Sequence, residues 1–273
     1  MSKQIQSSRV TVPEIAARKG KAKLVCLTAY TAPMAALLDP HVDLMLVGDS
    51  VGMVMHGLPC TVGVTLDMMI LHGKAVMRGA THALVVVDLP FGSYERSAAQ
   101  AHESAVRVMQ ETGCQAIKVE AGEGVPETIA FLVQRGIPVI GHVGLRPQAS
   151  NVDGRFKTKG RSLAERERVL AEAKAVDEAG AFAIVVEGVA SDLAVEVTRL
   201  VGAPTIGIGA SPECDGQILV TDDMLGLFDW TPKFVRRYAN MRELVGKAVE
   251  AYAADVKGGT FPGSAEIYTL RAK

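Results

Sequence analysis

Three apolar runs each close on an acidic residue: Asp43-Leu-Met-Leu-Val-Gly-Asp49, Ala83-Leu-Val-Val-Val-Asp88 and Gln115-Ala-Ile-Lys-Val-Glu120. Each run reads as a short buried strand followed by a loop signal. If these strands are parallel neighbours, Asp49, Asp88 and Glu120 gather at one end of a sheet. Crowded carboxylates repel and raise one another's pKa unless a cation neutralises them. A donor set made only of oxygen suits a hard ion such as Mg2+ better than zinc, and such a set also accepts Mn2+ or Co2+. Two further strand ends carry His142 and Glu187, and Lys118 stands two residues before Glu120 on the same strand face. A metal held by carboxylates leaves room for two oxygens of a 2-oxo acid. It would draw electrons from the keto group and stabilise an enolate once a neighbouring proton leaves. Lys118 would add positive charge, and Glu187 is a candidate base that the metal does not require. An enolate formed there would attack an electrophile and make an aldol-type carbon–carbon bond.

Each residue also has a plainer explanation. An Asp after a strand most often caps the next loop. Lys118 could snorkel to the surface, although its place between Ile117 and Val119 argues that its ammonium needs a partner. His142 could be a structural histidine, Glu187 a surface cap, and Gly207-Ile-Gly209 a tight turn. The catalytic reading prevails because five successive strands, the second to the sixth, end in ionisable groups.

The elements that must position these groups alternate along the chain. Strands read over Lys23 to Ala29, Val42 to Gly48, Leu84 to Asp88, Ala116 to Glu120, Pro138 to His142, Phe182 to Glu187 and Pro204 to Ile208, with an eighth around Ile218 to Thr221 or later. Helices read from Thr11 to about Lys19, Thr31 to Leu38, Thr65 to about Arg78, Ser97 to Thr112, Val125 to Arg135, Ser162 to Ala179 and Ser191 to Leu200, with a helical tail from Pro232 to Val256. Val51 to Val64 reads as a long loop or hairpin, and the basic segment Arg146 to Arg161, with its Asp153-Gly154 turn pair, as a loop. Strand–helix alternation predicts parallel βα units. A chain of 273 residues suits one closed α/β (β/α)8 TIM barrel spanning residues 1–273, with a short N-terminal helix and a C-terminal helical tail. An open doubly wound sheet is the alternative, weakened because no Gly-x-Gly-x-x-Gly follows the first strand.

Composition narrows the class further. The chain is 48% hydrophobic but 5% aromatic, so Val, Ile, Leu, Ala and Met must build the core. A net charge of -1 provides no field for nucleic acid or an anionic membrane. Four scattered cysteines without a CxxC pair point to a reducing compartment, and no apolar run is long enough to span a bilayer. The expectation is a soluble cytoplasmic protein.

Several longer stretches carry a family resemblance. Leu27-Thr-Ala-Tyr-Thr-Ala, Val47-Gly-Asp-Ser-Val-Gly-Met-Val-Met-His-Gly57, Asp88-Leu-Pro-Phe-Gly-Ser-Tyr94, Ile117-Lys-Val-Glu-Ala-Gly122, Gly141-His-Val-Gly-Leu-Arg-Pro-Gln148, Val186-Glu-Gly and the segment Ile206 to Val220 resemble the ketopantoate hydroxymethyltransferases, over about Leu24 to Asn240. The resemblance implies a (β/α)8 barrel in a homodecamer and a cytoplasmic step of pantothenate synthesis. It implies transfer of a hydroxymethyl group from 5,10-methylenetetrahydrofolate to 3-methyl-2-oxobutanoate, giving 2-dehydropantoate. By motif position it makes Asp49, Asp88 and Glu120 the magnesium site, with the Glu120 contact direct or through water. It makes Asp49, Ser50, Asp88 and Lys118 the ketoacid contacts and Glu187 the proton acceptor, with His142 nearby in the pocket. The basic loop Arg146 to Arg161 would cover the mouth or meet the folate's glutamate tail. The competing readings are a magnesium-dependent lyase or mutase of the phosphoenolpyruvate mutase and isocitrate lyase type, a Schiff-base aldolase using Lys118, and a non-catalytic ligand-binding barrel. The first would often carry Lys-Cys-Gly-His, a tetrapeptide missing from this sequence.

Overall fold

Eight short strands pair in sequence order, all parallel, and the eighth returns to the first: a closed (β/α)8 barrel. The computed structural model describes residues 9–154 and 158–268. The strands are β1 (Leu24–Thr28), β2 (Leu44–Val47), β3 (Leu84–Asp88), β4 (Ala116–Glu120), β5 (Val139–Gly144), β6 (Ala183–Glu187), β7 (Thr205–Ile208) and β8 (Gly216–Leu219). Longer helices follow most of them, among them Leu66–Gly79, Ala98–Thr112, Leu163–Glu178 and Ser191–Leu200. The described residues up to Thr221 form this unit, and those from Asp222 onward form a second.

Strand alternation sorts the apolar residues into two cores. Leu44, Leu46, Leu84, Val86, Ala116, Ile140, Ala183, Val185, Ile206 and Ile218 fill the barrel interior, where Ile15 of the short helix Val12–Ala16 joins them. Their neighbours Met45, Val47, Val85, Val87, Ile117, Val119, Val143, Ile184 and Val186 point outward into the core shared with the helices. With both faces covered, β2 to β6 need apolar residues at nearly every position short of their ends, which is why they read as continuous runs rather than alternating ones, whereas β1 and β8 each leave one position exposed. The period of two carries on past the interior layers. Asp88 continues Leu84 and Val86, Lys118 and Glu120 continue Ala116, His142 continues Ile140, and Glu187 continues Ala183 and Val185.

Local chemistry sets the ends of these elements. Thr31, Thr65, Ser97 and Ser162 cap their helices with side-chain oxygens, and Glu14 reaches back to the Thr11 N–H at 2.7 Å. Three expectations need correction. The eighth strand lies earlier, at Gly216–Leu219, because Asp215 fixes its start: the carboxylate accepts from Gly20 N at 2.8 Å and Thr205 N at 2.8 Å, and Lys19 Nζ lies 3.1 Å away. Thr221 instead donates its hydroxyl to Thr28 O at 2.6 Å and opens a short helix. Both expected loops contain helical turns, Val51–Val54 with Thr61–Gly63 in the first, and Pro147–Ala149 with Ser150–Asp153 in the second. Residues 155–157 of the basic loop lie outside the described residues. In the second unit the helix is Met241–Gly258, not Pro232 to Val256. The backbone N–H groups of Tyr238, Met241 and Arg242 donate to Met224, Leu225 and Gly226, which holds the stretch before the helix in an irregular turn. Among the described residues no helix is long and apolar enough to cross a membrane.

Candidate active site

The ionisable residues that end β2 to β6 meet in one cavity at the C-terminal end of the barrel, the end where barrels of this class do chemistry. It encloses about 520 Å³ of empty space, part of it open to solvent, among Asp49, Ser50, Asp88, Lys118, Glu120, His142 and Glu187. Sheet register explains the convergence. Asp88 sits beside Lys118 across β3 and β4, Glu120 beside His142 across β4 and β5, and Gly144 beside Glu187 across β5 and β6.

Lys118 is 5% exposed, and its Nζ lies 3.0 Å from Asp88 Oδ1 and 3.4 Å from His142 Nδ1. An ammonium only donates, so Nδ1 of the imidazole is the acceptor and its proton sits on Nε2. That Nε2 lies 3.1 Å from Glu187 Oε2, away from the best hydrogen-bond line. A line of four groups, Asp88–Lys118–His142–Glu187, therefore crosses the mouth. Asp88 Oδ2 accepts the Asp49 backbone N–H at 3.0 Å, which brings the first two carboxylates together. Ser50 Oγ is 2.7 Å from Tyr30 Oη.

Electrostatics follow from burial. Desolvation pushes Asp88 up to about 7, with Asp49 adding repulsion and Lys118 pulling the other way. Burial raises Asp49 too, and lifts Glu120 well above the usual carboxylate range with the help of the Asp49 charge. Burial also works against the Lys118 charge, but Asp88, Asp49 and Glu120 outweigh it and hold the ammonium above the ordinary lysine range. His142 is pushed down by burial and by Lys118, so it stays neutral. Three buried carboxylates thus face one ammonium.

Among the described residues no three His, Cys, Asp or Glu side chains form a ready-made metal cage. The donor chemistry nevertheless fits a divalent cation. All the donors are oxygens, three carboxyl groups stand against one ammonium among the described residues, and buried Asp88 Oδ1 has no well-directed hydrogen bond. The Gly207-Ile-Gly209 pair serves the turn, since Gly209 has φ 58°.

Sequence reasoning assigned no role to the polar groups that hold these carboxylates. Gln148 donates from Nε2 to Asp49 Oδ2 at 2.8 Å and from its backbone N–H to Glu120 Oε2 at 3.1 Å. Tyr94 donates to Gln148 Oε1 at 2.7 Å. Both lie in loops after strands that end in site residues, which is the one signal that could have marked them.

The fold and site define a (β/α)8 barrel with an acidic, lysine-bearing mouth. The chain belongs to the ketopantoate hydroxymethyltransferase family, whose model matches residues 9–264. It is 68% identical over 99% of its length to the 3-methyl-2-oxobutanoate hydroxymethyltransferase of Hyphomonas neptunium, covering 98% of that protein. It is 67% identical over 97% to the protein of that name from Phenylobacterium zucineum, covering 96% of it. Among solved structures it resembles 2,3-dimethylmalate lyase, a PEP mutase/isocitrate lyase superfamily member (TM-score 0.61, 15% identity, 95% of this chain and 89% of that one). It also resembles phosphonopyruvate hydrolase in complex with oxalate and Mg++ (TM-score 0.59, 15% identity, 95% and 92%). At that identity the likeness is one of fold.

Proposed function

We propose that this chain is a 3-methyl-2-oxobutanoate hydroxymethyltransferase acting in pantothenate synthesis. It joins 3-methyl-2-oxobutanoate to the one-carbon unit of 5,10-methylenetetrahydrofolate, and with water yields 2-dehydropantoate and tetrahydrofolate. The observation that supports this most is the line Asp88–Lys118–His142–Glu187 across the mouth of a barrel from this family.

Asp49 and Asp88, with Glu120 directly or through water, hold Mg2+, for which Mn2+ or Co2+ can substitute. When bound, the cation draws electron density from the oxygens of the 2-oxo acid and makes its C3–H more acidic. Lys118 and Ser50 hold the ketoacid oxygens beside the two aspartates. The Lys118 ammonium stabilises negative charge that develops on the keto oxygen. Glu187 takes the C3 proton onto a carboxylate oxygen, and the electron pair left at C3 forms the new carbon–carbon bond to the methylene carbon; both bonds from that carbon to folate nitrogens break, water supplies the hydroxyl, and the C3 proton and the remaining water proton end on the two nitrogens of tetrahydrofolate. His142 places its Nε2 proton 3.1 Å from Glu187, where a small turn of either side chain would bring it onto the carboxylate, while Lys118 fixes the tautomer from the other side.

A Schiff-base aldolase fits less well. Asp88, Asp49 and Glu120 keep the Lys118 amine protonated, and a protonated amine cannot attack a carbonyl. Borohydride trapping of an imine would reverse that preference. Self-association, expected as a homodecamer, is supported by the helix Met241–Gly258. It buries none of its residues and exposes Leu244, Val245, Val249, Tyr252 and Val256. Four free thiols, three of them buried, accord with a cytoplasmic site of action.

The test is formation of 2-dehydropantoate from the two substrates by the purified protein. Activity should vanish on chelation and return with Mg2+. Turnover that persists after complete chelation would remove the metal from the proposal, and no turnover of any 2-oxo acid would favour a binding protein.

A further inference from the structure

Gln148 is 6% exposed, and every hydrogen-bonding atom of its side chain is in use. Its amide nitrogen donates to Asp49 Oδ2 at 2.8 Å and to Leu89 O at 3.0 Å, while Oε1 accepts from Tyr94 Oη at 2.7 Å. The orientation of the amide follows from its neighbours: Leu89 O can only accept, so the amide nitrogen must face it, and Oε1 is left to take the hydrogen of the Tyr94 hydroxyl, whose oxygen also accepts the Glu120 backbone N–H at 3.2 Å. The –NH2 group therefore faces Asp49. Among the described residues, one hydrogen bond reaches the Asp49 carboxylate and it falls on Oδ2, which leaves Oδ1 as the oxygen open to a ligand. The Gln148 backbone N–H also sits against Glu120, 3.1 Å from Oε2 and 3.4 Å from Oε1.

We infer that Gln148 is a positioning residue that makes Asp49 a one-oxygen donor and so fits the mouth to a small octahedral cation rather than a large one such as Ca2+. The inference rests on the reading that Asp49 and Asp88 hold a divalent cation. A small ion takes single oxygens at about 2.0–2.1 Å in a strict octahedron. A larger ion collects roughly six to eight oxygens at about 2.3–2.6 Å and gains from carboxylates that bind through both. An amide locked onto one oxygen permits the first arrangement and obstructs the second.

The test is calorimetric titration of Mn2+ and of Ca2+ into the metal-free full-length protein, without turnover. Gln148→Met keeps the side-chain length but removes the donors. Its Mn2+ affinity should fall about tenfold, the low end for losing a group that orients a ligand. Ca2+ affinity should change little, so the preference for Mn2+ over Ca2+ drops about tenfold. Gln148→Asn, one methylene short of Asp49, should not restore the preference. Tyr94→Phe frees the amide without touching Asp49, though it also removes the bond from the Glu120 N–H, and should shift the preference in the same direction; if Gln148→Met does not fold, an unchanged preference in Tyr94→Phe decides against the role. An unchanged preference in folded Gln148→Met, or in Tyr94→Phe where that variant must decide, overturns the role of Gln148 alone. Failure of the native protein to bind either ion overturns the metal reading along with it.

Discussion

Replacing Lys118 by Met removes the one positive charge among the described buried groups of the mouth and keeps its alkyl volume. In the native protein Lys118 Nζ is 3.0 Å from Asp88 Oδ1, with the two side chains 5% and 2% exposed. Removing one partner of a buried pair costs about 3–5 kcal/mol, because the other charge is left without compensation. Asp88 can escape part of that cost by taking up a proton. Its pKa is already lifted to about 7 by burial and by Asp49, and loss of the ammonium would lift it further. A carboxyl whose folded pKa exceeds the unfolded value of about 3.9 loses stability as pH rises between those two values, at up to about 1.4 kcal/mol per pH unit. The deficit of Lys118→Met against the native protein should therefore be about 3 kcal/mol at pH 8 and clearly smaller at pH 5, where Asp88 is neutral in both. Urea unfolding of chelator-treated protein at the two pH values measures it. A deficit equal at both, or a more stable variant at pH 8, would refute the assignment of an ionised pair. The same variant should bind the ketoacid more weakly, and Lys118→Arg should rescue only partly because its planar fork does not fit a site built for a point charge.

Further predictions concern the scaffold. The Asp39 carboxylate accepts from Thr81 N, Thr81 Oγ1, His82 N and Ala83 N at 2.7 to 3.0 Å, clamping the end of Ala32–Leu38 to the start of β3. Asp39→Asn turns an N–H toward these donors and should cost about 2–4 kcal/mol in urea unfolding. Burial alone would raise the Asp39 pKa, but its hydrogen bonds outweigh burial and lower it. Its stabilisation should thus be full above about pH 4 and fall away as acid passes through the depressed folded value, an effect absent from Asp39→Asn. At Gly144, with φ 96°, a Cβ would stand 2.4 Å from the Glu187 carbonyl oxygen. Gly144→Ala should displace the Glu187 backbone and cut kcat by on the order of 100-fold, since small misplacements cost about that much. Unaltered kcat in a folded Gly144→Ala protein would show that the position of Glu187 is not critical.

The barrel was legible because most strands, β2 to β6 above all, are covered on both faces and announce themselves as apolar runs. The interior-facing residues that lie beyond the packed layers were legible for the same reason: Asp88, Lys118, Glu120, His142 and Glu187 break those runs at their ends. β8 was harder to locate. It is four residues long with Gly216 at its start, and its position depends on Asp215 bonding to Gly20 and Thr205, contacts between residues far apart in the chain. Gln148 and Tyr94 had no apolar run to interrupt. Their places beside Asp49 and Glu120 come from loop conformation, including the turn Pro147–Ala149, which strand periodicity does not encode. The irregular stretch before Met241 was misread because its helix-compatible composition gave no hint of the backbone bonds to Met224, Leu225 and Gly226.

The central claim is that Glu187 removes the C3 proton of 3-methyl-2-oxobutanoate. It is tested most directly by following exchange of that proton in deuterated water, with Mg2+ and without the folate, in native protein and in Glu187→Gln. The amide keeps the shape of the side chain but cannot accept the proton. Exchange should therefore fall by roughly two to four orders of magnitude, while calorimetry shows Mg2+ and ketoacid binding near native. Exchange at the native rate in a folded Glu187→Gln protein would assign the base to another group, with His142 next in line.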